Sequence, residues 1–77
     1  MTPDSALIDS VIQQIRTYVS QHPHAADTCE GIALWWVVGE FPPSVIEVAL
    51  QQLHATGEME RIAVGTRQLW RREREAR

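Results

Sequence analysis

His22, His24 and Cys29 place two imidazoles and a thiol within a short stretch, the donor types that a zinc ion takes. Structural zinc needs four such ligands, and here the fourth must come from His54 or a carboxylate far along the chain. The set reads better as loop histidines and a small apolar cysteine, so no metal or other cofactor is expected. Cys29 near a helix start has a second possible use, because a helix N-terminus favours the thiolate and a lowered pKa would suit an oxidant sensor. Asp27 and Glu30 look like a catalytic pair of carboxylates. Their spacing is that of a capping box, in which Asp27 accepts from an amide three residues on and Glu30 reaches back. No glycine-rich phosphate loop or nucleophile elbow is present. A chain of 77 residues also has little room for a water-excluding pocket, so an enzyme is not expected.

Trp35-Trp36 and the arginines carry the remaining chemistry. Adjacent residues of a helix point about 100° apart, so the two indoles cannot form one stacking platform. One is expected in the core and the other at a partner or dimer contact, where tryptophan is enriched. The charges are unevenly placed. Residues 1–60 hold eight acids and one base, Arg16, whereas residues 61–77 hold six arginines and two glutamates, and the chain has no lysine. An all-arginine end suits an anion-binding edge, because guanidinium grips phosphate or carboxylate with two parallel donors. It also reads as a solvated tail that offsets an acidic body.

The elements that would position these groups follow from periodicity. Over residues 4–21, Leu7, Ile8, Val11, Ile12, Ile15, Tyr18 and Val19 recur at steps of three and four, the stripe of an amphipathic helix. Thr2 or Asp4 is placed to cap it, with Pro3 in the first turn, and Pro23 stops it. A second helix is expected over 27–38, capped by Asp27 and ended by Gly39 in the left-handed conformation, with Gly31 marking a close backbone approach. Pro42-Pro43 open a third over 43–56, which buries Ile46, Ala49, Leu50 and Leu53 with Val45 beside them and ends at Gly57. Residues 58–71 change to a period of two around Gly65-Thr66, which predicts a hairpin; with a two-residue turn, Ile62 would sit opposite Leu69 and Glu60 opposite Arg71. Met59 and Trp70 share its other face. Apolar residues on both faces leave room for a bulge or a longer turn. Residues 72–77 would be frayed or extend a terminal strand or helix. The reading is one domain, mostly α with a small antiparallel β-hairpin. The longest apolar run, Ile32 to Val38, falls far short of the ~20 residues that span a bilayer. Met1-Thr2-Pro3-Asp4 is no secretory leader and a lone cysteine fits a reducing compartment, so a cytoplasmic protein is expected.

Val45-x3-Ala49-Leu50-x2-Leu53-x3-Gly57, followed by Met59-x-Arg61 and, past Gly65, by Leu69-Trp70, resembles the recognition helix, terminal glycine and wing of small bacterial winged-helix regulators. The likeness spans roughly residues 5–71 and implies a three-helix winged helix-turn-helix. That fold often carries a short strand between its first two helices, but His24-Ala25-Ala26 is too short and too weakly β-forming to promise one. The resemblance implies a DNA-binding transcriptional regulator whose third helix enters the major groove of double-stranded DNA. Ser44, Glu47, Val48, Gln51 and Gln52 would then face base edges. Arg61, Thr66, Arg67, Arg71 and Arg72 would serve the wing and the backbone contacts. The third helix itself has no lysine or arginine, and nucleic-acid affinity comes largely from neutralised phosphates, so a dimer would be needed to supply enough arginines. The alternative that the resemblance allows is a protein-interaction module using an acidic, tryptophan-bearing surface, since this scaffold serves both ends.

Overall fold

The computed structural model of the chain describes residues 5–73. The first apolar stripe forms α1 (Ser5–Gln21), which buries Ile8, Val11, Ile12, Ile15 and Val19 and leaves Leu7, at the rim of the stripe, partly exposed. The cap expected from Thr2 or Asp4 and the tail beyond Glu73 lie outside the described residues.

A two-residue strand, β1 (Ala26–Asp27), follows where none was expected. The propensity of these residues is poor; they become a strand because β3 offers its edge, pairing Ala26 with Arg71 and Asp27 with Trp70. Asp27 is therefore no helix cap. That role falls to Thr28, whose hydroxyl accepts from the Gly31 amide at 3.1 Å, while the Asp27 carboxylate accepts from the Thr28 amide at 2.8 Å.

The second helix, α2, starts at Cys29–Gly31 and widens into a π-helical turn over Ile32–Trp36. It is shorter than the expected 27–38. Val37 is extended and buried, so the chain leaves the helix in order to insert that side chain into the core. The freed Val38 amide donates to the Gln14 side chain at 2.7 Å. Gly39 has φ +108° but sits in the loop, three residues past the helix end.

Gly31 is needed for a different reason from the one expected. A Cβ there would fall 2.0 Å from the Asp27 carboxylate oxygen; the obstacle is a side chain and not a passing backbone. Gly31→Ala should therefore destabilise by about 1 kcal/mol. The gain in helix propensity of ~1 kcal/mol is outweighed by losing a charge-assisted bond worth ~1.5–3 kcal/mol. In an Asp27→Ala background the same change should become stabilising. Urea denaturation of the four-protein cycle would show this reversal of sign, and additive effects would refute it.

Pro42 and Pro43 open α3 (Pro43–Ala55), which buries Val45, Ile46, Ala49, Leu50 and Leu53. It ends in a Schellman motif: the Glu58 amide bonds Leu53 O at 2.9 Å and the Gly57 amide bonds His54 O at 3.1 Å. Gly57 has φ +82°, which a side chain would strain. β2 (Met59–Val64) and β3 (Arg67–Arg72) then form the hairpin in the expected two-residue-turn register, with Ile62 opposite Leu69, Glu60 opposite Arg71 and no bulge.

The sheet is antiparallel in the order β1-β3-β2. Met59 and Trp70 join the helices in a single core that, among the described residues, buries no polar or charged side chain. Three helices and a three-stranded sheet thus make a mixed α/β domain, with more sheet than a lone hairpin. No described helix is long and apolar enough to cross a membrane.

Candidate functional site

The exposed side of α3 presents Ser44, Glu47, Gln51 and Gln52, while Val48 is half-buried against the core. The hairpin tip does not stand alone: Thr66, Arg67 and Gln68 line one cleft with Thr28, Cys29 and Glu30 at the start of α2. Glu47 and Glu30 both act on the Cys29 thiol, which burial pushes up in the first place. The surroundings also oppose the minor reading of Cys29 as a reactive, low-pKa thiol: it is half-buried and its charged neighbours are carboxylates. Nor do the histidines gather with it. His22 leans on the Tyr18 ring at 4.5 Å, His54 meets Trp70 edge-on at 6.1 Å, and no group of three metal-ligating side chains occurs among the described residues.

The arginines diverge. Alternation along the hairpin puts Arg67 and Arg71 on one face of the sheet and Arg61 and Arg72 on the other, with Trp70. Arg71 is paired with Glu60. The Arg61 guanidinium lies over the Trp70 ring, 5.8 Å from its centre, and Arg72 borders a depression that Ile15, Val19 and Met59 line beside α1. Arg67, exposed at the tip, makes no ion pair among the described residues.

Arg16 is held by a two-pronged pair with Glu58, 2.8 Å at each contact, which ties α1 to the start of the hairpin. Hydrogen bonds from Arg16 and then Thr56 hold the Glu58 carboxyl below the usual carboxylate range. A depressed carboxyl contributes stability above its unfolded pKa of ~4.3 and loses it as pH falls through the folded value. Both side chains are well exposed, so the effect is small. Glu58→Gln should be slightly less stable than the parent at pH 7 and equal to it in acid. A gap that persists unchanged at low pH would refute the ion pair as its source.

The two tryptophans separate completely. Trp36 is 6 % exposed and stacks on Tyr18 with ring centres 4.6 Å apart, so its expected part in a partner contact is ruled out by burial. Trp35 is 74 % exposed. Beside it Leu34 is 72 % and Val38 84 % exposed, and neither was singled out from sequence. The signal was the unbroken apolar run from Ile32 to Val38, since a helix cannot bury every side of itself against one neighbour. These three residues lie toward the end of α2 away from the hairpin tip. They belong to a stretch, residues 17–60, that contains six acids and no lysine or arginine.

Compared with known proteins, the chain matches no family model, no curated protein and no solved structure.

Proposed function

We propose that this chain is a winged-helix protein-docking module that holds its partner through Leu34, Trp35 and Val38. The element order, and a sheet in which the strand between the first two helices pairs with the second hairpin strand, support the winged-helix reading. One observation carries the docking reading: three large apolar side chains within residues 34–38, each at least 72 % exposed, stand in a stretch without lysine or arginine. Single exposed apolar residues are ordinary, whereas three within residues 34–38 are more than scatter, and an exposed tryptophan is the residue type that interface hot spots favour.

DNA binding is the second reading, favoured by the exposed wing-tip Arg67 and the amides of Gln51 and Gln52 on α3. Against it, α3 carries Glu47 and no lysine or arginine, and Arg16 and Arg71 are already engaged with carboxylates. Phosphate contacts supply most of the affinity of DNA binders, and among the described arginines the three without an ion pair do not converge, Arg67 lying on one face of the hairpin and Arg61 and Arg72 on the other.

Comparing the protein with its Trp35→Ala variant separates the two. The docking reading expects a protein that co-purifies with the parent and binds the purified variant at least thirtyfold more weakly, the effect of losing a hot spot worth about 2 kcal/mol. It also expects no anisotropy change with a labelled random duplex at low salt. A chain that instead binds duplex, loses it steeply with added salt and is crippled by Arg67→Ala would establish the DNA reading.

A further inference from the structure

The sheet ends in a long strand that has a partner on one side only. β2 pairs with β3, and among the described residues no strand lies beyond it. The opposite edge of the sheet is closed off, in part by β1 and further along by the approach of Thr28, Cys29 and Glu30 to the hairpin tip. Natural edge strands are usually blunted by proline, a bulge, lysine or short length. β2 has six residues, no proline, no lysine and no bulge, and its two charged side chains are turned to internal use: Glu60 on Arg71, Arg61 on Trp70. The sheet face opposite Trp70 also carries Ile62 and Leu69, side by side and only half-buried.

We infer that the free edge of β2 is the interface for a second copy of this chain, which adds its own β2 in antiparallel fashion about a twofold axis through Ile62. The hydrogen-bond pattern leaves the right groups available. Val64 and Arg67 flank the two-residue turn and bond to each other; Ile62 and Glu60 therefore bond inward to Leu69 and Arg71. Met59, Arg61 and Ala63 turn their backbone N–H and C=O to the open side.

Charge selects the register. Centring the axis on Arg61 sets two arginines directly opposite, and centring it on Glu60 sets two glutamates opposite, both unfavourable. Centring it on Ala63 shortens the ladder toward the turn. Centred on Ile62, each Arg61 faces Ala63 of the second copy and each Glu60 faces Val64. The two Ile62 side chains then meet at the axis, and Leu69–Ile62–Ile62–Leu69 becomes one apolar strip across a six-stranded sheet. The strand is thus complementary to itself in one register. Trp35 has no part in this edge, so the assembly stands or falls independently of the docking proposal.

Sedimentation velocity on the full chain over a concentration series should show a reversible monomer–dimer equilibrium. Ala63→Pro removes an amide that gives no bond to β3, so the hairpin is retained while dimerisation weakens at least tenfold. Two cysteine variants, each made with Cys29→Ser, read the register and decide the matter even where the proline perturbs folding. Ile62→Cys should cross-link under mild oxidation, because a non-hydrogen-bonded antiparallel pair sits about 4.5 Å apart at Cα, within disulfide range. Val64→Cys should not, since its two copies would lie roughly 13 Å apart along the strands. A chain that stays monomeric at several hundred micromolar, or one in which Val64→Cys cross-links as readily as Ile62→Cys, would overturn the inference.

Discussion

Trp36→Ala should remove about 3–5 kcal/mol of folding stability, the cost of deleting a large aromatic side chain from a packed core. Its neighbour supplies the control: Trp35→Ala should change stability by no more than about 0.5 kcal/mol. The contrast rests on burial, 6 % exposed against 74 %, and on the stack that Trp36 makes with Tyr18 of α1. A chain of 77 residues has on the order of 4–12 kcal/mol of total stability at the usual value per residue. The first change therefore takes a large share of it, since so small a core has few other aromatic anchors. Urea denaturation gives the answer as a fall in midpoint at unchanged slope for Trp36→Ala and superimposable curves for Trp35→Ala. Equal losses for the two variants would refute the assignment of inner and outer indole.

A comparable loss, again about 3–5 kcal/mol, is expected for Trp70→Ala, but with a different distribution. Trp70 is the point where the sheet is fastened to the helices. It is buried, its ring meets His54 of α3 edge-on, Arg61 lies over it, and its backbone pairs with Asp27 of β1. Removing the ring loosens the ribbon before it loosens α1, so native-state amide exchange should speed up most over residues 59–72. Trp70→Phe keeps an aromatic body and should recover more than half of the loss. Uniform acceleration through all three helices would instead make Trp70 an ordinary core residue. The result bears on the DNA reading and on the proposed dimer, because the hairpin tip and the β2 edge are positioned only while this anchor holds.

Much of the architecture was legible beforehand. The three- and four-residue spacing in α1 and α3 defines which sides go inward, and Gly65-Thr66 between two runs of period two defines a hairpin, whereas its register, with apolar residues on both faces, was decided by the packing of Met59 and Trp70 onto the helices. These signals are local. Each depends on residues close in sequence and on a repeat that matches the geometry of one element. The candidate site was less accessible. Arg16 is 42 positions from the Glu58 that engages it, so a count of arginines could not tell which remain free. Glu47, from another helix, bears on Cys29 against the thiolate that a helix N-terminus alone would favour.

What the amino-acid order alone determined, then, was the number of helices, the amphipathic faces of α1 and α3, the presence of a hairpin, and the division into an acidic body and an arginine-bearing end. Tertiary packing decided which tryptophan is buried, where α2 stops, that Ala26–Asp27 become a strand, and how the arginines are dispersed. The reason is physical: a repeat selects a face wherever a helix or strand stands alone, but in a wholly apolar run such as Ile32 to Val38 every face is equally eligible. There the neighbours choose, and Tyr18 and the core chose Trp36 and Val37, leaving Leu34, Trp35 and Val38 to solvent.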